Sequence, residues 1–289
     1  MKILVTGADG QLGTELKELS VHYPDWQFYF TDVDSLDIIS PKEVDLFFRQ
    51  NKPSFLINCA AYTAVDKAET DAYTAHQLNA IGPDILAKAS KTFKAGFIHI
   101  STDYVYDGTS FNPYDEDDAV NPAGVYGKTK LAGERLIRAG NPNAIIIRTS
   151  WLYSSFGNNF VKTMLRLGKE RESLNVVYDQ IGTPTYAADL AKTLLTIADS
   201  YIKNSENATP GIYHYSNEGI ASWYDFAKTI FEISGVCCQV SPVLSKEYPT
   251  PAKRPHYTVL NKSKIKTTFS IEIPYWKDSL KICIDKIQK

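Results

Sequence analysis

Short, continuously apolar runs alternate with longer helical patterns through the first half of this chain. The runs are rich in isoleucine, valine and phenylalanine, which is typical of strands, and the segments between them have helical spacing or composition. Strands that are apolar along their whole length favour a parallel sheet covered on both faces. We therefore predict an α/β fold, a doubly wound parallel sheet of the Rossmann type with right-handed crossovers. The predicted strands are 2–6, 27–31, 55–59, 97–101 and 144–149, and the predicted helices are 12–20, 41–51, 75–92 and 125–139.

The pattern changes after Arg148, where aromatic and glycine residues interrupt it. Beyond that point we predict an amphipathic helix at 159–172, strands at 176–178 and 211–215, and a polar linker at 204–210. These elements predict a smaller C-terminal lobe packed on the sheet. The predicted division is a sheet domain over 1–150, completed by segments within 175–215, and a lobe over 151–289 that is partly interleaved with it.

Composition narrows the class of protein. The chain has 289 residues, 44% of them apolar, enough for a substantial core. A formal net charge of −2 gives no electrostatic reason to bind nucleic acid or an anionic membrane. No apolar run approaches the ~18 residues of a membrane-spanning helix, and the N-terminus is too soon broken by glycine for a signal peptide. The four cysteines have no metal-ligand spacing. We expect a cytoplasmic protein without a metal site.

Three glycines, Gly7, Gly10 and Gly13, follow the first predicted strand and open the first helix. Glycine there permits a tight turn, lets backbone amides approach a pyrophosphate, and lets the helix pack closely on the strand. The spacing is GxxGxxG rather than GxGxxG, so the evidence lies in its strand–turn–helix setting. The pattern predicts a dinucleotide site at this edge of the sheet.

An acidic residue follows the second predicted strand, at a position where a dinucleotide site uses one to bind the ribose. Asp32 can accept hydrogen bonds from an adenosine ribose, although a strand-end turn former explains it equally well. Because no cation follows Asp32 to meet a 2′-phosphate, the segment favours NADH over NADPH. Asp37 and Ile38 can approach the adenine. The segment 60–63, which includes Ala61, Tyr62 and Thr63, can border the cofactor at the end of the third strand.

Tyr126 and Lys130 lie one helical turn apart, so their side chains share a face of the predicted helix. A phenol titrates near ~10, and a neighbouring ammonium favours the phenolate and lowers that value. Thr102, at the end of the fourth strand, can hold a substrate oxygen beside the phenol. The three residues predict proton transfer at an oxygen on a carbonyl carbon, although a Tyr–Lys pair at this spacing also occurs by chance on amphipathic helices.

The glycine turn, the segment 58–63, residues 101–104 and the YxxxK pair occur in the order that resembles the extended short-chain dehydrogenase/reductase family. The resemblance covers nearly the whole chain. It implies NAD(P)H-dependent reduction of the C4 keto group of dTDP-4-dehydro-L-rhamnose to dTDP-L-rhamnose, for cell-surface polysaccharide synthesis. It implies that Tyr126 is the proton donor, that Lys130 lowers its pKa and holds the nicotinamide ribose, and that Thr102 binds the C4 oxygen. The implied cofactor residues are Gly7, Gly10, Gln11, Leu12, Gly13, Asp32, Asp37, Ile38, Ala61, Tyr62, Thr63, Tyr126 and Lys130. The implied substrate residues are Thr102, Asp103, Trp151, Asn158 and Arg254.

Several of these roles have plain alternatives. Trp151 also suits a core position after the fifth strand, and Lys253 and Arg254 suit solvent-exposed charges in a proline-rich loop as well as contacts to a diphosphate. Asn79 matches an asparagine that the family places beside the active site, or is a surface amide. Glu15 matches a position that some members use for Mg²⁺ in a dimer. No full ligand set accompanies Glu15, so we predict no metal, and a homodimer is a further expectation.

Other activities remain open within and beyond this family. An epimerase would keep NAD⁺ bound through its cycle. A 4,6-dehydratase typically needs Asp-Glu after the threonine, whereas here Tyr104 follows Asp103 and a phenol is a poor substitute for that carboxylate. The chain could also be a non-catalytic binding subunit, because the regulatory subunit of methionine adenosyltransferase resembles this fold. Retention of Trp151 and Arg254 together with Thr102 favours catalysis.

Overall fold

A parallel sheet of six strands lies at the centre of the computed structural model, which describes residues 1–203 and 209–289. Most of the predicted linker at 204–210 lies outside the described residues. The strand order is β10-β5-β4-β3-β1-β2, and all five pairings are parallel. The strands are β1 Lys2–Thr6, β2 Gln27–Thr31, β3 Phe55–Asn58, β4 Gly96–Thr102, β5 Ile145–Thr149, β6 Leu152–Tyr153, β7 Ser173–Val177, β8 Ile181–Gly182, β9 Thr185–Tyr186, β10 Gly211–Tyr215, β11 Ala221–Ser222 and β12 Gln239–Val243.

Helices cover both faces of this sheet, as the continuous apolar strands predict. Alternate residues of β1 serve different cores: Ile3 and Val5 pack with α1 and α8, whereas Leu4 packs with α2, α5 and α6 on the opposite face. The predicted doubly wound α/β fold is confirmed. The α-helices are α1 Gln11–Ser20, α2 Pro41–Asn51, α3 Val65–Ala68, α4 Ala72–His76, α5 Gly82–Thr92, α6 Val125–Gly140, α7 Phe160–Glu170, α8 Ala187–Lys203, α9 Trp223–Ser234, α10 Ser263–Phe269 and α11 Trp276–Gln288.

The strand order reverses at β1. The chain runs from β1 outward to β2 and then returns to the other side of β1 to add β3, β4 and β5. In an open parallel sheet such a reversal leaves a crevice outside the carboxyl ends of the central strands, where ligands bind. The residues that follow β1, β3 and β4 therefore meet at one edge.

The helix predicted over 75–92 is interrupted in the structure. A π-helical turn, Gln77–Ile81, separates α4 from α5. Pro83 explains the position of this turn, since its ring would clash with the carbonyl of Asn79 in a regular helix. The wide turn ends two residues before the proline, and turns of this kind are frequent at functional sites.

The C-terminal part builds a second core of its own. Small pairs of strands, β7 with β12, β8 with β11 and β6 with β9, surround α7, α9 and α11. Three elements from this half return to the main sheet: β10 pairs with β5, α8 packs on α1, and α10 packs on β10. The division into domains near residue 150 stays a prediction. Across the described ranges, none of the helices combines the length and apolar character that crossing a membrane requires.

Candidate active site

The glycine turn after β1 has the backbone geometry that its sequence predicts. Gly7 has a φ of +69°, and a Cβ there would collide with the backbone of Ala60 after β3. A Cβ at Gly13 would likewise collide with the backbone of Gly7 and Ala8. Gly10 precedes α1, and no side chain caps this helix. The first amides of α1, near Gln11, therefore suit an anionic group.

The predicted adenosine-binding residues follow β2. The Asp32 carboxylate accepts hydrogen bonds from the amide of Asp9 (3.0 Å) and from that of Val33 (2.8 Å), so it does organise a turn, and it does so against the glycine loop. Asp37 accepts from the Ile39 amide at 3.0 Å. Ile38 is a core residue, 5% exposed.

The segment after β3 is tied to helix α6 through Asn79. The backbone amide of Tyr62 donates to Asn79 Oδ1 (2.9 Å), and Asn79 Nδ2 donates to the carbonyl of Tyr62 (3.1 Å) and to Thr129 Oγ1 (3.1 Å) on α6. Asn79 is fully buried, so the surface-amide interpretation is wrong. These bonds set the position of Ala61, Tyr62 and Thr63 relative to α6.

At the end of β4, Thr102 and Asp103 are both buried. Thr102 Oγ1 donates to Asp103 Oδ1 at 3.1 Å and accepts from the amide of Tyr104 at 3.2 Å. Asp103 Oδ2 has no hydrogen-bond partner within the described residues. Burial raises the pKa of Asp103 to about 6, although the hydroxyls of Thr258 and Thr102 act to lower it.

Tyr126 lies in the first turn of α6, half-buried, with its ring 5.5 Å from that of Tyr104 in an edge-to-face arrangement. Burial raises the pKa of Tyr126 to about 12, Thr102 acts to lower it, and Asp103 adds to the rise. The pKa of Tyr126 is therefore raised in the free protein, whereas the sequence predicts that Lys130 lowers it.

Lys130 is 2% exposed, and its contacts explain this difference. Its Nζ donates to the carbonyl of Ile100 at 2.6 Å and lies 3.3 Å from Nε2 of His99, both on β4. Burial lowers the pKa of Lys130 to about 8. The amine is thus held against the strand rather than against the phenol.

On the substrate side, Trp151 is partly exposed and has a φ of +47°, a conformation that bulky residues rarely adopt. Its ring stacks on Trp223 with centroids 3.6 Å apart and planes 10° from parallel. A Cβ at Gly182 would collide with the same indole. Trp151 is therefore partly a packing residue, as its alternative interpretation states, and its role toward a substrate stays a prediction.

Two other predicted substrate residues have different surroundings. Arg254 forms a bidentate ion pair with Asp66 in the first turn of α3, with distances of 2.8 and 3.1 Å. Asn158 is exposed and has no hydrogen-bond partner in the ranges described. Its neighbour Asn159 caps α7 and donates to Gln11 Oε1 at 2.9 Å, which links the lobe to the glycine turn.

Comparisons with known proteins agree with this geometry. The family described as RmlD substrate binding domain matches the chain over residues 1–289. The chain belongs to this family. A relative from Aggregatibacter actinomycetemcomitans, named dTDP-4-dehydrorhamnose reductase, is 42% identical over 286 residues, 97% of each chain.

Solved structures of similar proteins support the same family. A dTDP-4-dehydrorhamnose reductase from Clostridium acetobutylicum is 46% identical, covers 100% of each chain and superposes with a TM-score of 0.93. Another from Bacillus anthracis, in complex with NADP, is 39% identical, covers 99% of each chain and has a TM-score of 0.92.

Four residues of the candidate site have no role that the sequence pattern indicates. They are His99 and Asn58 beneath Lys130, Thr258 beside Asp103, and Trp223 under Trp151. His99 carries the one available signal, because it is a polar residue inside the apolar run 97–100 and shares a strand face with Ser101. Thr258 and Trp223 come from distant parts of the chain and leave no local pattern.

Proposed function

We propose that this chain is an oxidoreductase that reduces the C4 keto group of dTDP-4-dehydro-L-rhamnose with NADH or NADPH, forming dTDP-L-rhamnose. The observation that carries the proposal is that Tyr126 on α6 lies within hydrogen-bonding reach of Thr102 and that Lys130 on the same helix contacts Ile100, all at the carboxyl end of β4. Its relatives, named as reductases of this sugar, support the substrate. Dinucleotide use is supported by the NADP complex of the Bacillus anthracis relative.

The glycine turn fits a dinucleotide. Gly7 and Gly13 leave space that a Cβ would fill, and the uncapped start of α1 at Gln11 and Leu12 suits the pyrophosphate. Asp32, Asp37 and Ile38 would hold the adenosine, and Ala61, Tyr62 and Thr63 the central part. When bound, a reduced nicotinamide supplies a hydride to the keto carbon.

Tyr126 donates a proton to the C4 oxygen as that oxygen becomes an alkoxide. Because its pKa is raised, the phenol stays protonated at neutral pH and is available as a general acid. Thr102 orients the same oxygen by turning its hydroxyl proton from Asp103 to the substrate, while the amide of Tyr104 holds Oγ1 in place. Lys130 holds the nicotinamide ribose, and its charge favours the tyrosinate once the proton has left.

The remaining contacts belong to the sugar and its diphosphate. The unpartnered Oδ2 of Asp103 accepts a hydrogen bond from a hydroxyl of the deoxyhexose. Trp151 and Asn158 border the sugar, and the guanidinium of Arg254 meets the diphosphate. Tyr104 stands where a dehydratase needs a carboxylate, and burial raises its pKa, so it does not replace that group.

The experiment follows the absorbance of NADH, and separately of NADPH, after addition of enzymatically made dTDP-4-dehydro-L-rhamnose. We expect rapid oxidation, with dTDP-L-rhamnose identified by mass. The Asp32 carboxylate favours NADH, and the assay ranks the two cofactors. dTDP-glucose, which has no keto group, is the control and should give no oxidation.

Two failures would have different meanings. No oxidation together with tightly bound NAD⁺ in the purified protein would indicate an epimerase. No oxidation and no bound dinucleotide would indicate a binding subunit. The homodimer and the cytoplasmic location stay predictions.

A further inference from the structure

A buried chain of hydrogen bonds leads from β1 to Lys130. Thr6 Oγ1 donates to Asn58 Oδ1 (2.7 Å), Asn58 Nδ2 lies 2.9 Å from His99 Nδ1, and His99 Nε2 lies 3.3 Å from Lys130 Nζ. Thr6, Asn58 and His99 are each at most 1% exposed. The mechanism proposed above uses none of these three residues.

The orientation of the Asn58 amide is determined by the backbone. The amide N–H of Ala60, which can only donate, points at Asn58 Oδ1 from 3.0 Å. The NH₂ group of Asn58 therefore faces His99 and donates to Nδ1. Because Nδ1 must offer a lone pair, the imidazole of His99 is neutral and carries its proton on Nε2.

That proton points at Lys130. An ammonium offers no lone pair to an N–H donor, whereas a neutral amine does. We propose that His99, oriented by Asn58, is a positioning residue that donates from Nε2 to Nζ of Lys130, fixes the amine against the carbonyl of Ile100, and favours its neutral form in the free protein. The proposal rests on the reductase function for its consequence, because Lys130 is the residue that holds the nicotinamide ribose there.

The charges around Lys130 act in both directions. Burial lowers its pKa to about 8, whereas Glu134 on the same helix and Cys59 after β3 act to raise it. Burial also lowers the pKa of His99 well below its ordinary value, and Lys130 adds to that effect when it is charged, so the imidazole is neutral with either form of Lys130. These directions agree with the tautomer that the hydrogen bonds require.

The first experiment determines the tautomer of His99 in the free protein and needs no activity. The chain has five histidines, and ¹⁵N NMR of their imidazoles distinguishes a protonated Nε2 from a protonated Nδ1. The His99 signals are assigned by their loss in His99→Gln. We expect Nε2–H with a bare Nδ1 from pH 6 to pH 9, wherever the protein is folded. A protonated Nδ1, in the other tautomer or in an imidazolium, would overturn the proposal.

The second experiment compares pH profiles of kcat/KM, which report groups of the free enzyme. His99→Leu removes the donor to the neutral amine, so we expect the basic limb due to Lys130 to move up by about one pH unit. Because the amine is then no longer fixed in position, we also expect kcat/KM at pH 7 to fall about tenfold. The amide of His99→Gln can donate in place of Nε2–H and should restore the limb. His214→Gln, at another buried histidine on β10, is the control and should leave the limb unmoved.

The two experiments separate the two proposals. An unmoved limb in His99→Leu, with only lower stability, would reduce His99 to a structural residue. If the wild-type protein does not oxidise a reduced nicotinamide at all, the function fails, while the NMR result still decides the tautomer.

Discussion

Two buried ionisable residues, Lys130 and Glu134, lie one turn apart on α6, and their surroundings differ. Glu134 accepts from Ser101 Oγ (2.5 Å) and forms a bidentate pair with Arg148 (2.7 and 3.0 Å), and Arg148 donates onward to the Tyr106 hydroxyl (2.7 Å). Lys130 contacts only a carbonyl and an imidazole, with no carboxylate within ion-pair distance in the described chain.

The number of hydrogen-bond partners distinguishes an ionisable residue with a structural role from one with a proposed role in catalysis. A buried charge whose hydrogen-bonding capacity is filled holds its place and its protonation state. A buried charge with few partners has a shifted pKa, as Lys130 and the neighbouring Asp103 do. Helix α6 is therefore anchored by Glu134, and the turn that precedes it, which we call the reactive turn, carries the residues proposed to react.

The largest expected effect comes from the reactive turn. Tyr126→Phe removes the proposed proton donor, and general acid catalysis typically contributes ~10²–10⁴-fold, so we expect kcat to fall on that scale with substrate binding kept. Steady-state kinetics and thermal unfolding measure the two properties. Tyr153→Phe is the matched control, because it deletes a buried hydroxyl that has no partner within the described residues, and it should leave kcat unchanged. Near-normal turnover in Tyr126→Phe would defeat the assignment.

The next effect comes from the anchored turn and concerns stability. Glu134→Gln leaves the Arg148 charge buried without its counter-ion, which typically costs about 3–5 kcal/mol in the free energy of unfolding. The double variant Glu134→Leu with Arg148→Met removes both charges and should recover most of that loss. Urea unfolding gives each value, and Glu170→Gln, in an exposed pair, is the control. A double variant no more stable than the single one would show that the network does more than satisfy two charges.

The fold was largely predictable because its signals are local. Continuous apolar strands and the glycines after β1 indicate the sheet and the crevice without reference to the rest of the chain. The interruption before Pro83 and the two-residue strands of the lobe were missed. The short strands depend on pairing between distant segments, and so have no periodicity of their own.

The sequence predicts which side chains lie at the candidate site, but not which residues each of them contacts. The spacing of Tyr126 and Lys130 predicts a shared helix face, and the structure has that face at the end of β4. The packing of α6 over β4 then decides that Lys130 contacts His99 and not the phenol. The ion pair of Arg254 with Asp66 joins residues 188 positions apart, which no spacing rule can foresee.

The smallest expected effect concerns the ion pair of Arg254 with Asp66, which is partly exposed, unlike the buried pair of Glu134 with Arg148. Asp66 is 42% exposed. We expect Asp66→Asn to lower the free energy of unfolding by no more than about 1 kcal/mol, because solvent screens the pair. The hydrogen bond from Arg254 lowers the pKa of Asp66, so the pair stabilises the protein above the ordinary pKa of a carboxyl group. That contribution is lost as the pH falls through the lowered value, and the variant and wild type should then become equally stable.

The same variant tests what Arg254 does for the substrate. Since Asp66 binds both terminal nitrogens of the guanidinium, Asp66→Asn weakens that hold and frees Arg254 for the diphosphate, and we expect a lower KM for the nucleotide sugar with kcat unchanged. Asp45→Asn, at the exposed pair with Arg49 on α2, is the control and should change neither constant. An unchanged KM in Asp66→Asn would mean that Arg254 does not reach the diphosphate and that the pair only ties the C-terminal loop to α3.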